Sequence, residues 1–526
     1  MPGFVSSVPM SGRFLVIRLG SLGDVILTSA TVLNLRINYP DSEIVFLTRS
    51  RFRIIAEAIL GVDRVIALAD EIGVSEYYRA LVDMDREGFT TIIDLHGNLR
   101  SWLARRVLSG TLKLVYPKRR LERQRIVRTH TYPESWPHTI DLYNSVLTQL
   151  KMPVYVNRPV LNIGSNGPRQ NSVVMAPGAA HANKQWPIER FADVAVALNQ
   201  SAGVKIIWAV TSGDRGRVKL EDKLERDQYE ELVDVPIERL GKVIADARLV
   251  IANDSGVMHL ASAVGTPVVA IFGPTHQSLG FSPRGLFDRV VEVDEFCRPC
   301  SLHGKKPCYR EERYCFTRIS PGMVSQVAGE MLSSPVNTAP ALFVDRDGTV
   351  MEDKHYLSDP DQVELLPGAV EALKATAAAG FRMVVISNQS GIARGMFTKV
   401  EAEKVNARLV EMLRRQGVEV AAIYFCPHYP GGSIKEYAIS CECRKPAPGM
   451  AERAARELGV DFRRSIVVGD KVEDLALADA IGARSVLVLT GHGRESEERL
   501  RSSSYYRQRR SFEDLPGAVR FLISGE

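Results

Sequence analysis

Phe343-Val344-Asp345-Arg346-Asp347-Gly348-Thr349 follows directly on Ala341-Leu342. The uncharged run Ala341 to Val344 reads as a buried strand. It ends in two aspartates spaced i, i+2. Residues two apart on an extended backbone face the same way. Asp345 and Asp347 can therefore share a pocket at the strand's carboxyl end, where open α/β sheets bind ligands. One carboxylate can act as nucleophile and the other as proton donor, with Mg2+ between the first and a phosphate. Taken alone, the pair fits an Asp-rich turn better than a site, because short motifs recur by chance. Partners elsewhere in the chain have to decide.

Those partners follow downstream. Met383–Ile386 reads as a strand ending in Ser387-Asn388-Gln389-Ser390-Gly391, which places a hydroxyl and an amide where they can donate to phosphate oxygens. Ser465–Val468 reads as another, ending in Gly469-Asp470-Lys471, with Asp474 one helical turn on. Cys443-Arg444-Lys445-Pro446 brings two cations, one of which can neutralise a phosphoaspartate and its transition state. Asp345, Asp347 and Asp470 are thus expected at the metal, and Ser387, Asn388, Arg444, Lys445 and Lys471 on substrate. Cys426-Pro427-His428 and Cys441-Glu442-Cys443 add three thiols and an imidazole. Such a set suits tetrahedral Zn2+, here structural, stiffening the loop that presents Arg444 and Lys445. No long insertion for a cap domain is visible.

The order and chemistry of these features over residues 341–526 resemble the haloacid dehalogenase phosphatases. Within that superfamily the thiol-rich insert is most similar to the D-glycero-D-manno-heptose 1,7-bisphosphate 7-phosphatases. The resemblance implies in-line attack by Asp345, protonation of the leaving sugar oxygen by Asp347, and Mg2+ held by Asp345, the Asp347 backbone carbonyl and Asp470. Zinc-bearing histidinol-phosphate phosphatases share these motifs and form the alternative, fused to a different or inactive nucleotide-sugar-binding module.

With 526 residues the chain is long enough for three or four domains. Its net charge of +5 makes it mildly basic. No apolar run approaches the ~20 residues of a membrane span. Met1 to Arg13 lacks a charged-then-apolar signal pattern. The expectation is a cytoplasmic protein, with peripheral attachment to the inner membrane left open. The seven cysteines, an odd number, fall in two clusters rather than a disulfide framework.

The first half alternates strands and helices. Phe14–Leu19 reads as a strand, Gly20-Ser21-Leu22-Gly23-Asp24 as a glycine-rich turn, and Val25–Leu35 as a helix. This is the opening of a doubly wound domain. Asp24 can serve the helix dipole or act as a general base facing the cleft. Further strands are expected at Ile44–Leu47, Val65–Leu68 and Thr91–Leu95. His96 and Arg100, in the loop after the last of these, fit ligand contact or simple capping, with capping favoured for His96. A second unit begins near Asn171, with strands at Val173–Ala176, Ile206–Val210, Leu249–Ala252 and Val268–Phe272, the last closing the sheet. Asn253-Asp254-Ser255-Gly256 opens a helix with N-cap chemistry that can also hold a pyrophosphate, with Lys184 supplying charge.

The stretches GSLGDVILTSA (20–30), DLHGNLRS (94–101), PGAAHANKQWP (177–187), NDSGVMHLA (253–261) and IFGPT (271–275) look like the ADP-heptose:lipopolysaccharide heptosyltransferases of glycosyltransferase family 9. The resemblance runs through most of residues 13–320. It implies two facing Rossmann-like domains (the GT-B arrangement) and metal-free inversion of the anomeric centre. It further implies that Asp24 deprotonates the acceptor, Lys184 offsets diphosphate charge, and Asp254, Ser255, Gly256 and His259 line the nucleotide-sugar site. Asp214 falls near the family's acidic contact to ribose.

Two features stay open. Arg100 to Arg128 carries nine further cations from Arg105 onward, the last of them Arg128, against a lone Glu122. Such a run is a solvated face or meets an anionic lipid headgroup, and sparse aromatics argue against nucleic acid. Cys297, Cys300, Cys308 and Cys315 suit zinc or free thiols equally. The expected architecture is α/β: an acceptor domain at 13–165, a nucleotide-sugar domain at 166–332, a Ser/Pro-punctuated linker at 333–340 and the phosphatase domain at 341–526. The expected partners are a heptose bisphosphate, ADP-heptose and a lipid-linked anionic acceptor at the inner membrane surface. Together they describe one enzyme of lipopolysaccharide-core heptose metabolism with two activities.

Overall fold

Apolar runs bounded by glycine and aspartate build three sheets, and every strand pairing within them is parallel. The computed structural model describes residues 12–131, 136–164, 167–334, 336–501, 503, 505–506 and 509–524. Most of the Met1–Arg13 segment, and Pro335 of the expected linker, lie outside the described residues. The chain divides into two compact units, Met1–Ser334 and Pro335–Glu526.

The first unit holds two sheets. β1 (Arg13–Ile17), β2 (Glu43–Arg49), β3 (Arg64–Leu68), β4 (Thr91–Asp94) and β5 (Leu112–Val115) run in the order β3-β2-β1-β4-β5. β6 (Ser172–Ala176), β7 (Lys205–Val210), β8 (Tyr229–Val233), β9 (Leu249–Asn253), β10 (Val268–Ile271) and β11 (Arg289–Val291) run β11-β10-β9-β6-β7-β8. The second sheet therefore continues past β10 to an edge strand, β11, that pairs at Val269–Ile271. Each sheet is covered by helices, and its buried strand residues join one core, such as Leu15, Val45 and Ile92 with Tyr77 and Leu81. The expected helix at Val25–Leu35 is two helices, Leu22–Leu27 and Ser29–Asn38. Between them the Thr28 hydroxyl donates to the Val25 carbonyl at 2.6 Å, a back-bond that competes with the helical ladder.

In the second unit, β12 (Ala341–Val344), β13 (Arg382–Asn388), β14 (Ala422–Cys426), β15 (Ile466–Gly469), β16 (Arg484–Val488) and β17 (Ser511–Phe512) run β14-β13-β12-β15-β16-β17. β12 is central and its residues are wholly buried, which is why it carries no charge. The register Leu342↔Ile466 and Val344↔Val468 brings the carboxyl ends of β12 and β15 level.

Strand order reverses between β1 and β4, between β6 and β9, and between β12 and β15. At such a switch point the two flanking connections leave in opposite directions and open a crevice. Asp24 follows β1, Asp254 follows β9, and Asp345 and Asp470 follow β12 and β15. Topology alone thus aims these carboxylates at crevices.

Candidate active sites

Three buried carboxylates, Asp345, Asp470 and Asp474, bring oxygens within 4.8 Å of one another. Asp345 leaves β12 and Asp470 leaves β15; Asp474 lies in the first turn of the helix Val472–Ile481. Lys445 enters between them. Its Nζ lies 2.7 Å from Asp345 Oδ1, 2.6 Å from Asp474 Oδ1 and 3.0 Å from the Ile386 carbonyl. Burial pulls the Lys445 pKa down, but Asp345 and Asp474 outweigh it and hold the amine protonated. Burial, then the Asp345 carboxylate, push Asp470 up to about 8. Burial likewise lifts Asp474, to about 6, against the pull of Lys445. Asp470 Oδ2 accepts the His492 backbone N–H at 2.8 Å, whereas its buried Oδ1 has no hydrogen-bond partner among the described residues. An orphaned carboxylate oxygen among like charges is what a divalent cation would satisfy. The donor set therefore fits such an ion.

Asp347 stands apart from that cluster. Its carboxylate receives the Arg346 guanidinium at 2.9 Å and the Gln389 amide at 2.8 Å, with Ser387 Oγ at 3.4 Å. It lines a cavity of about 330 Å3 together with Arg346, Asn388, Gln389, Lys471 and His492. Ser387 and Asn388, expected to donate to phosphate, are placed differently from each other. Both ends of the Asn388 amide bond the Lys445 backbone, at 2.9 and 3.1 Å, so this side chain positions Lys445 and keeps one of its two N–H groups for another acceptor. The Ser387 hydroxyl accepts from Gln389 and stays beside Asp347. Lys471 Nζ sits 3.8 Å from both Asp470 and Asp353.

Cys426, His428, Cys441 and Cys443 form a second cluster with all donors within 4.8 Å. Cys443 Sγ is 3.2 Å from Cys426 Sγ and 3.4 Å from Cys441 Sγ, and His428 Nδ1 is 3.3 Å from Cys443 Sγ. These spacings are close to the edges of a thiolate–imidazole tetrahedron, for which Zn–S of about 2.3 Å sets sulfur separations of just under 4 Å. The Cys426 hydrogen bond holds the Cys443 thiol down to about 5, favouring a thiolate there. Arg444 Nη1 donates to the His428 carbonyl at 3.2 Å, tying the cluster to the residue before Lys445. Cys297, Cys300, Cys308 and Cys315 line one small cavity as free thiols, but the structure does not gather their sulfurs into a comparable donor set.

In the first unit, Asp24 sits at the start of the helix Leu22–Leu27. Its Oδ2 takes Arg18 at 2.5 Å and the Ser21 hydroxyl at 3.0 Å, and its Oδ1 takes the Tyr143 hydroxyl at 3.1 Å. Burial pushes its pKa up, but Arg18, Ser21 and Tyr143 outweigh burial and hold it lowered. Asp24 is therefore ionised and oriented. It lines a cavity of about 380 Å3 with Lys184, Asp254, Ser255, Gly256 and His259, so the expected transferase residues do converge on one space. Two glycines permit this closeness. A Cβ on Gly23 would lie 2.6 Å from His259, and one on Gly256 would lie 2.7 Å from Leu22. Lys184 Nζ pairs with Asp254 at 2.5 Å, and Thr275 donates to the same carboxylate. The buried Ser255 Oγ and His259 Nδ1 have no partner among the described residues, and burial lowers the imidazole pKa to about 4, leaving it neutral. Asp214 instead bonds Thr211 and Arg217 and lines a neighbouring cavity.

Sequence reasoning missed Arg18, Tyr143, Arg346 and Gln389, and passed over Asp474. Asp474 at least carried a signal, a second acid one turn after Asp470. Tyr143 carried none, since it reaches Asp24 across 119 positions.

Comparison with known proteins places the two halves of the chain in families. A chain from Yersinia pestis, D-glycero-beta-D-manno-heptose-1,7-bisphosphate 7-phosphatase, is 42% identical over 185 residues, 35% of this chain and 96% of the relative. The chain belongs to this phosphatase family. The Escherichia coli K12 member is 42% identical over 156 residues, 29% of this chain and 81% of its own length. The HAD-hydrolase-like family matches residues 442–516, and glycosyltransferase family 9 (heptosyltransferase) matches residues 79–306. This phosphatase-family chain is thus a fusion, with a family 9 glycosyltransferase domain ahead of the haloacid dehalogenase-like one, and both indicate enzymes. Among solved structures, a family 9 glycosyl transferase from Veillonella parvula aligns at 22% identity and TM-score 0.49, covering 61% of this chain and 97% of that one. D,D-heptose 1,7-bisphosphate phosphatase from B. bronchiseptica, complexed with magnesium and phosphate, aligns at 32% identity and TM-score 0.32, covering 36% of this chain and 99% of that one.

Proposed function

We propose that the C-terminal domain, residues 341–526, removes the 7-phosphate of D-glycero-D-manno-heptose 1,7-bisphosphate. The observation that carries this reading is Lys445 Nζ lodged between Asp345 and Asp474, with an Asp470 oxygen beside them that accepts no hydrogen bond among the described residues. Asp345, Asp470 and the Asp347 backbone carbonyl are the proposed Mg2+ ligands; when bound, the ion neutralises charge on the phosphoryl oxygens. An Asp345 oxygen attacks phosphorus in line, the bond from phosphorus to the sugar oxygen breaks, and Asp347 gives that oxygen its proton. Asp347 then takes a proton from water, whose oxygen attacks the phosphoaspartate, releasing inorganic phosphate and restoring Asp345. Lys445 holds the Asp345 carboxylate in place and offsets the added charge. Arg444 and Lys471 are proposed to bind substrate. Cys426, His428, Cys441 and Cys443 are the proposed structural Zn2+ site, fixing the loop before Lys445. Identity to heptose bisphosphate phosphatases favours this substrate over histidinol phosphate. Phosphate release from both compounds, measured side by side on one sample, tests the choice; faster release from histidinol phosphate would refute it.

For the first unit we propose inverting heptosyl transfer from ADP-heptose to a lipid-linked anionic acceptor, in the cytoplasm at the inner membrane surface. Residues 13–165 would hold the acceptor and 166–332 the nucleotide sugar, with 333–340 as the linker. Asp24, ionised and held by Arg18 and Tyr143, takes the acceptor hydroxyl proton. Ser255 Oγ and His259 Nδ1, buried atoms with no hydrogen-bond partner among the described residues, suit the nucleotide sugar, and Lys184 and Gly256 its diphosphate. Asp24→Ala tests this: donor binding should persist while ADP release stops.

A further inference from the structure

Two helices on the first sheet each expose a stripe that opens on leucine and ends on arginine. The helix Leu99–Val107 presents Leu99, Trp102 and Arg106 at i, i+3 and i+7. The helix Arg120–Thr129 presents Leu121, Arg125 and Arg128 at i, i+4 and i+7. Leu99 and Leu121 are 84% and 80% exposed, and Trp102 is 49% exposed. Exposure of that degree in two leucines offers no packing benefit to the fold. Among the described residues, Arg106, Arg125 and Arg128 pair with no carboxylate; Arg106 instead lies 5.8 Å over the Trp102 ring.

The two stripes share one edge of the domain. Each helix starts beyond the carboxyl end of a neighbouring strand, β4 or β5, in a parallel pair. Lys118, just before the second helix, donates from Nζ to the His96 carbonyl at 2.8 Å and lies 3.4 Å from that of Gly97, just before the first. The apolar ends of both helices are thereby stitched together at the rim that also bears the Asp24 cavity.

We propose that this rim docks on an anionic phospholipid bilayer. Leucine at the two first turns suits shallow insertion, tryptophan suits the headgroup level, and the arginines behind them suit lipid phosphates. A nucleic acid would satisfy the arginines and leave the leucines exposed. The inference deepens the transferase reading, since an acceptor anchored in lipid has to be met at its surface, but its test does not pass through turnover.

The test is co-flotation of the full chain with vesicles containing phosphatidylglycerol and, separately, with vesicles of phosphatidylcholine alone. Binding is expected on the first, weak on the second, and lowered by salt. Leu99→Ser with Leu121→Ser, and Arg106→Glu with Arg125→Glu, should each weaken partitioning by about tenfold or more. Trp102 emission should shift to the blue on vesicles, and Trp102→Phe should remove that shift. Unchanged melting monitored by circular dichroism shows that the variants fold. No binding by the wild type, equal binding to neutral vesicles, or variants that bind like the wild type would each overturn the proposal. ADP binding on the same samples separates the two readings: vesicle binding without ADP binding sinks the transferase, and the reverse sinks the docking rim.

Discussion

Lys445 and Asp474, 29 positions apart, form a fully buried ion pair at 2.6 Å. Asp345 takes the same amine at 2.7 Å, so one cation is shared by the proposed nucleophile and its neighbouring carboxylate. Asp474→Asn keeps the shape and removes one of the amine's two counter-charges. Phosphate release should fall by about 10²-fold or more in kcat, with little change in KM. Steady-state phosphate release measures both.

The Cys/His cluster predicts about one tightly held zinc per chain. Cys441→Ser should lower zinc content and loosen the loop carrying Arg444 and Lys445, and with it lower phosphatase activity by about 10–100-fold. Elemental analysis and phosphate release on the same preparation check this. Full activity in zinc-free protein would refute the structural role.

Tyr143 donates to Asp24 Oδ1 at 3.1 Å and thereby stabilises its charged form. Tyr143→Phe removes that donor, so the Asp24 pKa should rise. The acid limb of kcat/KM for transfer should move to higher pH, because protonated Asp24 cannot accept the acceptor's proton. ADP release followed across pH tests the direction.

His138 predicts how the first unit responds to acid. Nδ1 accepts the Ile140 N–H at 3.1 Å and Nε2 donates to the Ser282 carbonyl at 2.9 Å, which fixes a neutral ring. Burial, with Arg284 nearby, lowers its pKa from 6.5 to about 3. The unfolded chain therefore binds a proton that the folded one does not. Stability from this group is whole above pH 6.5 and drains away as pH falls toward 3, reaching a loss of about 2 kcal/mol at pH 5. His138→Asn keeps a helix-capping acceptor and does not titrate, so it should flatten the slope. All four tryptophans lie between residues 102 and 208, so their fluorescence in denaturant reports this unit alone.

The contrast between Asp345 and Asp474 shows how far the sequence could be read. Asp345 ends an uncharged strand, and two-residue periodicity with strand-end topology sufficed to aim it at a crevice. Asp474 depends on where a lysine from a distant loop arrives, and no local pattern records that. Asn388 was visible at its strand end, yet its amide faces the Lys445 backbone, a pairing that only the fold creates. The edge strands β8 and β11 escaped for a related reason. Tyr229–Val233 carries Glu230 and Glu231 outward, and Arg289–Val291 is only three residues long, so neither has the apolar run of a central strand. The cysteine clusters divided the same way: both have plausible spacing, but only Cys426, Cys441 and Cys443 are drawn together with a histidine.

The most direct test of two independent enzymes on one chain assays wild type and Asp345→Asn for both reactions. Phosphate release from D-glycero-D-manno-heptose 1,7-bisphosphate should fall to background in the variant, while ADP release from ADP-heptose in the presence of acceptor stays at the wild-type rate. Phosphate release that survives the substitution, or ADP release that disappears with it, would contradict the account.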